Sequence, residues 1–203
     1  MKISAGMHAL PVGAGSGPVS SFLRLLLCAA CGCLFAACGD SPRTTFERAV
    51  LNANMIADFA SRGLLRQLES PSVKLTDVAT GASAPMKRKD VIDDKIAFVE
   101  QSLAKVRKLG QAGDAKDAKD IVQASIALHE YVLPVYRNEY QQLAKLYDDG
   151  AAKAEIEGSA SAIAAKYGPG FAALSERLTT AGKAYASKHD IKVVWDVRTS
   201  PSR

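Results

Sequence analysis

From Phe46 to Tyr185, apolar residues recur at spacings of three and four. This period places side chains on one helical face and dictates amphipathic helices packed against one another. In the first run, Phe46, Val50, Ala53, Ala57, Ala60, Leu64 and Leu68 predict a helix over about 45–69. Thr44-Thr45-Phe46-Glu47 reads as its capping box. A second seam of Ile92, Ile96, Val99, Leu103 and Val106 predicts a helix that starts at Asp90 and stops at Gly110.

The third seam is Ile121, Ser125, Leu128, Val132, Val135, Glu139, Leu143 and Leu146. It predicts a helix from near Asp114 or Asp117 to Asp148, bent at Pro134, which has no N–H for the Glu130 carbonyl. The fourth runs from Ile156 through Ala160, Ile163, Tyr167, Phe171, Leu174, Leu178 and Ala181 to Tyr185. Its phase survives Gly168-Pro169-Gly170 and leaves Pro169 on the solvent side, so one helix over about 153–189 is expected.

Residues 70–89, rich in Pro, Gly and Ser/Thr, predict a long loop and a candidate binding surface. Ile191, Val193, Trp195 and Val197 alternate with Lys192, Val194 and Asp196, as in an extended piece that packs one face on the bundle, either capping the core or presenting Trp195 to lipid head groups. The expected class is therefore all-α: an up-down-up-down four-helix bundle over residues 44–197, with long, kinked third and fourth helices and a short extended C-terminal segment. A disordered tail is expected over 198–203.

Upstream lies a stretch of another kind. Lys2 and Arg24 are the only Lys, Arg, Asp or Glu residues before Asp40, and an apolar run from Leu25 ends in Phe35-Ala36-Ala37-Cys38. A basic start, a short apolar core and small residues before a cut are the parts of a secretory signal over 1–37. The core is shorter than the roughly 20 residues of a membrane-spanning helix. Phe35-Ala36-Ala37-Cys38 resembles the lipobox of bacterial lipoproteins, with Phe35 where leucine is usual. The resemblance implies that Cys38 is lipidated and becomes the mature N-terminus, with residues 38–43 as tether. In that family an aspartate after the cysteine favours inner-membrane retention. Gly39 stands here, which implies the outer membrane.

All four cysteines, Cys28, Cys31, Cys33 and Cys38, fall in this leader. Cys28-Ala29-Ala30-Cys31 has C-x-x-C spacing but lacks a second ligand pair. With Cys38 acylated no thiol would remain, and core packing must hold the fold. The net charge of +5 is mild and includes two leader cations. No dense basic block with interleaved aromatics supports nucleic-acid binding. Lys87-Arg88-Lys89 is the one basic triplet and reads as a solvated helix entry.

For chemistry, Met55 falls opposite its seam, which argues against a haem held with His129, and no Glu-x-x-His pair suits a di-metal bundle. No cofactor is expected. His129, Tyr136, Tyr140 and Tyr147 line one flank of the third helix, and Glu139 lies on its seam. The tyrosines either pack their rings on a neighbour and leave their hydroxyls wet, or form an aromatic groove for a ligand or partner. Glu139 is expected to pair with a cation or a tyrosine hydroxyl, or to rotate outward, because an unpaired buried carboxylate is costly. Three functions compete: a lipid-tethered structural or interaction module with an envelope-protein partner, a small-ligand binder through the tyrosine flank, and an enzyme.

Overall fold

The computed structural model describes residues 40–111 and 117–195, apart from the side chain of Gln111. The leader over 1–37, Cys38, the tail over 198–203 and the expected start at Asp114 lie outside the described residues. The chain is mostly helical, with one two-stranded sheet. In order it forms α1 (Pro42–Ala49), α2 (Arg62–Glu69), β1 (Val73–Asp77), β2 (Ala82–Pro85), α3 (Arg88–Gln111), α4 (Lys119–Val135), α5 (Gln141–Asp148) and α6 (Lys153–Lys188). No described helix is long and apolar enough to cross a membrane.

The first helix is not continuous over 45–69. It starts earlier, with Pro42 at its first turn and Ser41 as cap, the Ser41 hydroxyl accepting the Thr44 N–H at 3.1 Å. This replaces the Thr44–Glu47 capping box and takes Pro42 and Arg43 out of the tether. After α1 a 3-10 turn covers Leu51–Ile56, and α2 begins again at its own cap, Ser61. Between them Ala60 adopts φ 52°, the left-handed region an α-helix cannot contain. The break carries Phe59, off the predicted seam, into the core at 2% exposure.

Residues 70–89 are not a bare loop. β1 pairs antiparallel with β2, with Val73 opposite Pro85 and Leu75 opposite Ser83, and Asp77 caps the turn by accepting the Ala79 N–H at 2.8 Å. α3 then starts at Arg88, two residues before the expected Asp90, because Asp148 at the end of α5 serves as its cap. The Asp148 carboxylate accepts the Arg88 and Lys89 N–H groups at 2.9 and 3.0 Å, satisfying donors that a helix start leaves free. Gly110 lies inside the last turn of α3, facing Val122, instead of ending it.

α3 packs along α4, and α4 along α6. Ile92, Val99, Leu103 and Val106 of α3 are buried as the seam predicts. The α4 stripe is wider than a seam, taking in Val122 and His129 beside Ile121, Ser125, Leu128 and Val132. Beyond Pro134 the chain makes a π-helical turn over Tyr136–Tyr140 before α5. Such a turn holds one extra residue, and one residue is about 100° of helix. Tyr136 and Tyr140 therefore face the core while Glu139 moves to its edge. α6 is one helix through Pro169, which is exposed as its phase requires. At 1.5 Å per residue it spans about 54 Å.

Past α6, Ile191, Val193 and Trp195 pack against the core while Lys192 and Val194 point out. Trp195 meets Phe46 edge-on at 5.9 Å between centroids, and Phe46 stacks with Tyr185 at 6.5 Å. Trp195 thus closes the end of the fold where α1 meets the C-terminal part of α6.

Candidate functional site

Phe59 is the centre of an aromatic nest. Its ring lies 4.9 Å from Phe171, 5.5 Å from Tyr136, 5.7 Å from Tyr140 and 6.4 Å from Tyr131. Two interruptions bring these rings together: the break before α2, which delivers Phe59, and the π turn, which delivers Tyr136 and Tyr140. The expectation that the tyrosine hydroxyls stay wet fails for this pair, whose residues are 0% and 2% exposed. Burial, with the Asp58 and Tyr140 charges adding to it, pushes the Tyr136 phenol far up. Tyr140 is pushed up to about 12 by burial, partly offset by the Ala60 N–H its oxygen accepts.

Asp58 closes one side of the nest. One oxygen accepts from Lys95 at 2.7 Å and from Gln67 at 2.8 Å. The other oxygen, like the Tyr136 hydroxyl, is buried without a hydrogen-bond partner among the described residues. The Asp58–Lys95 pair is about one-sixth exposed, so removing either partner would strand a poorly hydrated charge.

On the far side Glu139 accepts the Tyr167 hydroxyl at 2.7 Å and lies 3.7 Å from the Lys166 ammonium. Both partners foreseen for it, a tyrosine hydroxyl and a cation, are present. Tyr131 donates to the Tyr167 carbonyl at 3.0 Å, and a Cβ on Gly170 would run into the Tyr131 hydroxyl. Glycine at 170 is what lets α4 and α6 approach here.

His129 and Tyr147 are not part of this nest. His129 is fully buried, one of its ring nitrogens 2.8 Å from the Ser125 carbonyl. That carbonyl only accepts, so Nδ1 carries the proton and Nε2 is an acceptor with no partner. Desolvation holds this imidazole below its ordinary value. Tyr147 is half-buried near the other end, its phenol raised mainly by burial. Of the four flank residues, the structure joins Tyr136 and Tyr140 directly, and it sets the seam residue Glu139 at their edge.

Sequence reasoning missed Phe59, Asp58 and Lys95 as site members. The signal available was Ser61, a second N-cap inside the expected first helix.

A groove of about 820 Å³ lies at the hairpin root, between Pro85–Lys89 and the side chains of Arg137, Gln141 and Lys145. Among the described residues no group of three or more His, Cys, Asp or Glu could hold a metal ion. No protein family, curated protein or solved structure matches this chain.

Proposed function

We propose that this chain is a lipid-anchored helical module of the bacterial envelope, held on the outer membrane through Cys38 and serving a structural or protein-interaction role. Its architecture is read as an up-down-up-down four-helix bundle whose first rod is broken at Ala60. The observation that carries the reading is the placement of Phe35-Ala36-Ala37-Cys38 with only Gly39, Asp40 and Ser41 between it and Pro42, where the first helix starts. A lipid at Cys38 would hold the fold close to the bilayer on a short tether.

The burial of the aromatic flank supports interaction through the outer surface. Tyr136 and Tyr140 are inside the packing, and Glu139 and Tyr131 are bonded to α6, so a small ligand would first have to open the nest. Mass spectrometry of the mature N-terminus tests the anchor. A diacylated or triacylated peptide beginning at Cys38 is expected, with release from the membrane in Cys38→Ala. An unmodified peptide running through Cys38 in the mature protein would overturn the proposal.

A further inference from the structure

Six large apolar residues are exposed among the described residues, and Val73, Leu75 and Val78 place three of them on the hairpin. The register sets Val73 opposite Pro85 and Leu75 opposite Ser83. Since alternate residues of a strand share a face, Val73, Leu75, Ser83 and Pro85 lie on one side of the hairpin. All four are exposed. A two-stranded hairpin is at best marginally stable alone, and this one turns its apolar side to water with both outer edges unpaired among the described residues.

Pro85 also forms one wall of the groove at the hairpin root. The groove is lined by five cations, Lys87, Arg88, Lys89, Arg137 and Lys145, and by two acids, Asp148 and Asp149. Asp148 is engaged as the cap of α3, and Asp149 pairs with Lys145. Lys89 and Arg137 pair with Asp93 and Glu100 at the margin, each at 2.5 Å and with side chains about half exposed. Exposed pairs of this kind are worth about 0–1 kcal/mol, so an incoming carboxylate can replace them. Lys87 makes no ion pair among the described residues.

We propose that the apolar hairpin face and the basic groove form one docking surface for a partner protein's extended segment whose apolar residues fall at every second position and are followed by acidic ones that reach the groove. The segment adds a strand to the hairpin, as exposed sheet edges allow, and its carboxylates meet the groove. A second copy of this chain fits less well, because two-fold pairing through this surface would set the basic groove beside itself. The proposal rests on the interaction-module reading and names its surface and the chemistry of its partner.

The test uses the full lipidated chain in detergent micelles and three fluorescein-labelled peptides: alternating valine and threonine flanked by glutamates, the same core flanked by lysines, and all glutamate. Fluorescence anisotropy is read at low ionic strength, and lipid on Cys38 is measured on the same sample. The glutamate-flanked peptide is expected to bind most tightly, about tenfold more weakly at Leu75→Ser and again at Lys87→Glu, with helix content and Trp195 emission unchanged. Equal binding of the all-glutamate peptide would make this an anion site without an apolar component and overturn the proposal. So would equal binding of the lysine-flanked peptide, no binding of any peptide, or a concentration-dependent dimer abolished by Leu75→Ser. Failure to bind with lipid present on Cys38 removes the docking surface and leaves the anchor. Binding by a chain with unmodified Cys38 removes the anchor and leaves the surface.

Discussion

The Tyr140 hydroxyl accepts the backbone N–H of Ala60 at 2.9 Å, tying the π turn to the break in the first helical segment across 80 positions of sequence. The Tyr136 hydroxyl, one π turn earlier, has no partner among the described residues. The two tyrosines are therefore expected to respond oppositely to loss of the hydroxyl. Tyr140→Phe strands the Ala60 N–H and is expected to cost about 1–3 kcal/mol. Tyr136→Phe removes an unsatisfied buried group and is expected to be neutral or stabilising by up to about 1 kcal/mol. Chemical denaturation of the two variants measures the difference, and equal losses would show that both hydroxyls are bonded.

Ala60 holds its left-handed φ of 52° without the freedom of glycine. Such a conformation costs a non-glycine residue roughly 1–2 kcal/mol, part of which glycine returns through its more flexible unfolded chain. Ala60→Gly is expected to raise stability by about 0.5–1 kcal/mol. A lower denaturation midpoint in this variant would mean that the Ala60 methyl contributes more through packing than the backbone loses through strain.

His129 makes stability depend on pH in a fixed direction. Its folded pKa lies below its ordinary value because burial disfavours the imidazolium. Above about pH 6.5 neither state takes up the proton and the residue adds no pH dependence. Below that, the unfolded chain protonates while the folded one resists, so stability falls as the pH falls until the folded pKa is reached. Urea midpoints followed from about pH 8 to 5 are expected to decline for the wild type and to decline less for His129→Leu. Parallel curves would place the titrating group elsewhere.

Trp195 stands against Phe46, with Gly182 beneath it, where a Cβ would come to 3.1 Å from the indole. Its emission is expected to be blue-shifted without lipid and unchanged by anionic vesicles. Phe46→Ala is expected to cost about 3–5 kcal/mol and to shift the emission to the red. A vesicle-dependent shift in the wild type would restore the membrane-contact role for this residue.

Apolar spacing alone located α3, the α4 stripe and the whole of α6, including its passage through Pro169, because a 3.6-residue period is a local property that neighbouring residues repeat. A cation and a tyrosine hydroxyl were among the states expected of Glu139, because an unpaired carboxylate near a core is costly, but that these would be Lys166 and Tyr167 of α6 was not legible. The break at Ala60, the π turn and the pairing of β1 with β2 depended on tertiary structure. Phe59 is out of phase with the seam around it and enters the core because rings from α4, the π turn and α6 surround it there. The left-handed Ala60 and the Tyr140 hydroxyl that receives its N–H are 80 residues apart, and no local pattern records such a contact. The start of α3 at Arg88 was equally hidden, because its cap, Asp148, arrives from the end of α5. Local periodicity set where the helices are; contacts between distant segments set where they break and which side chains meet.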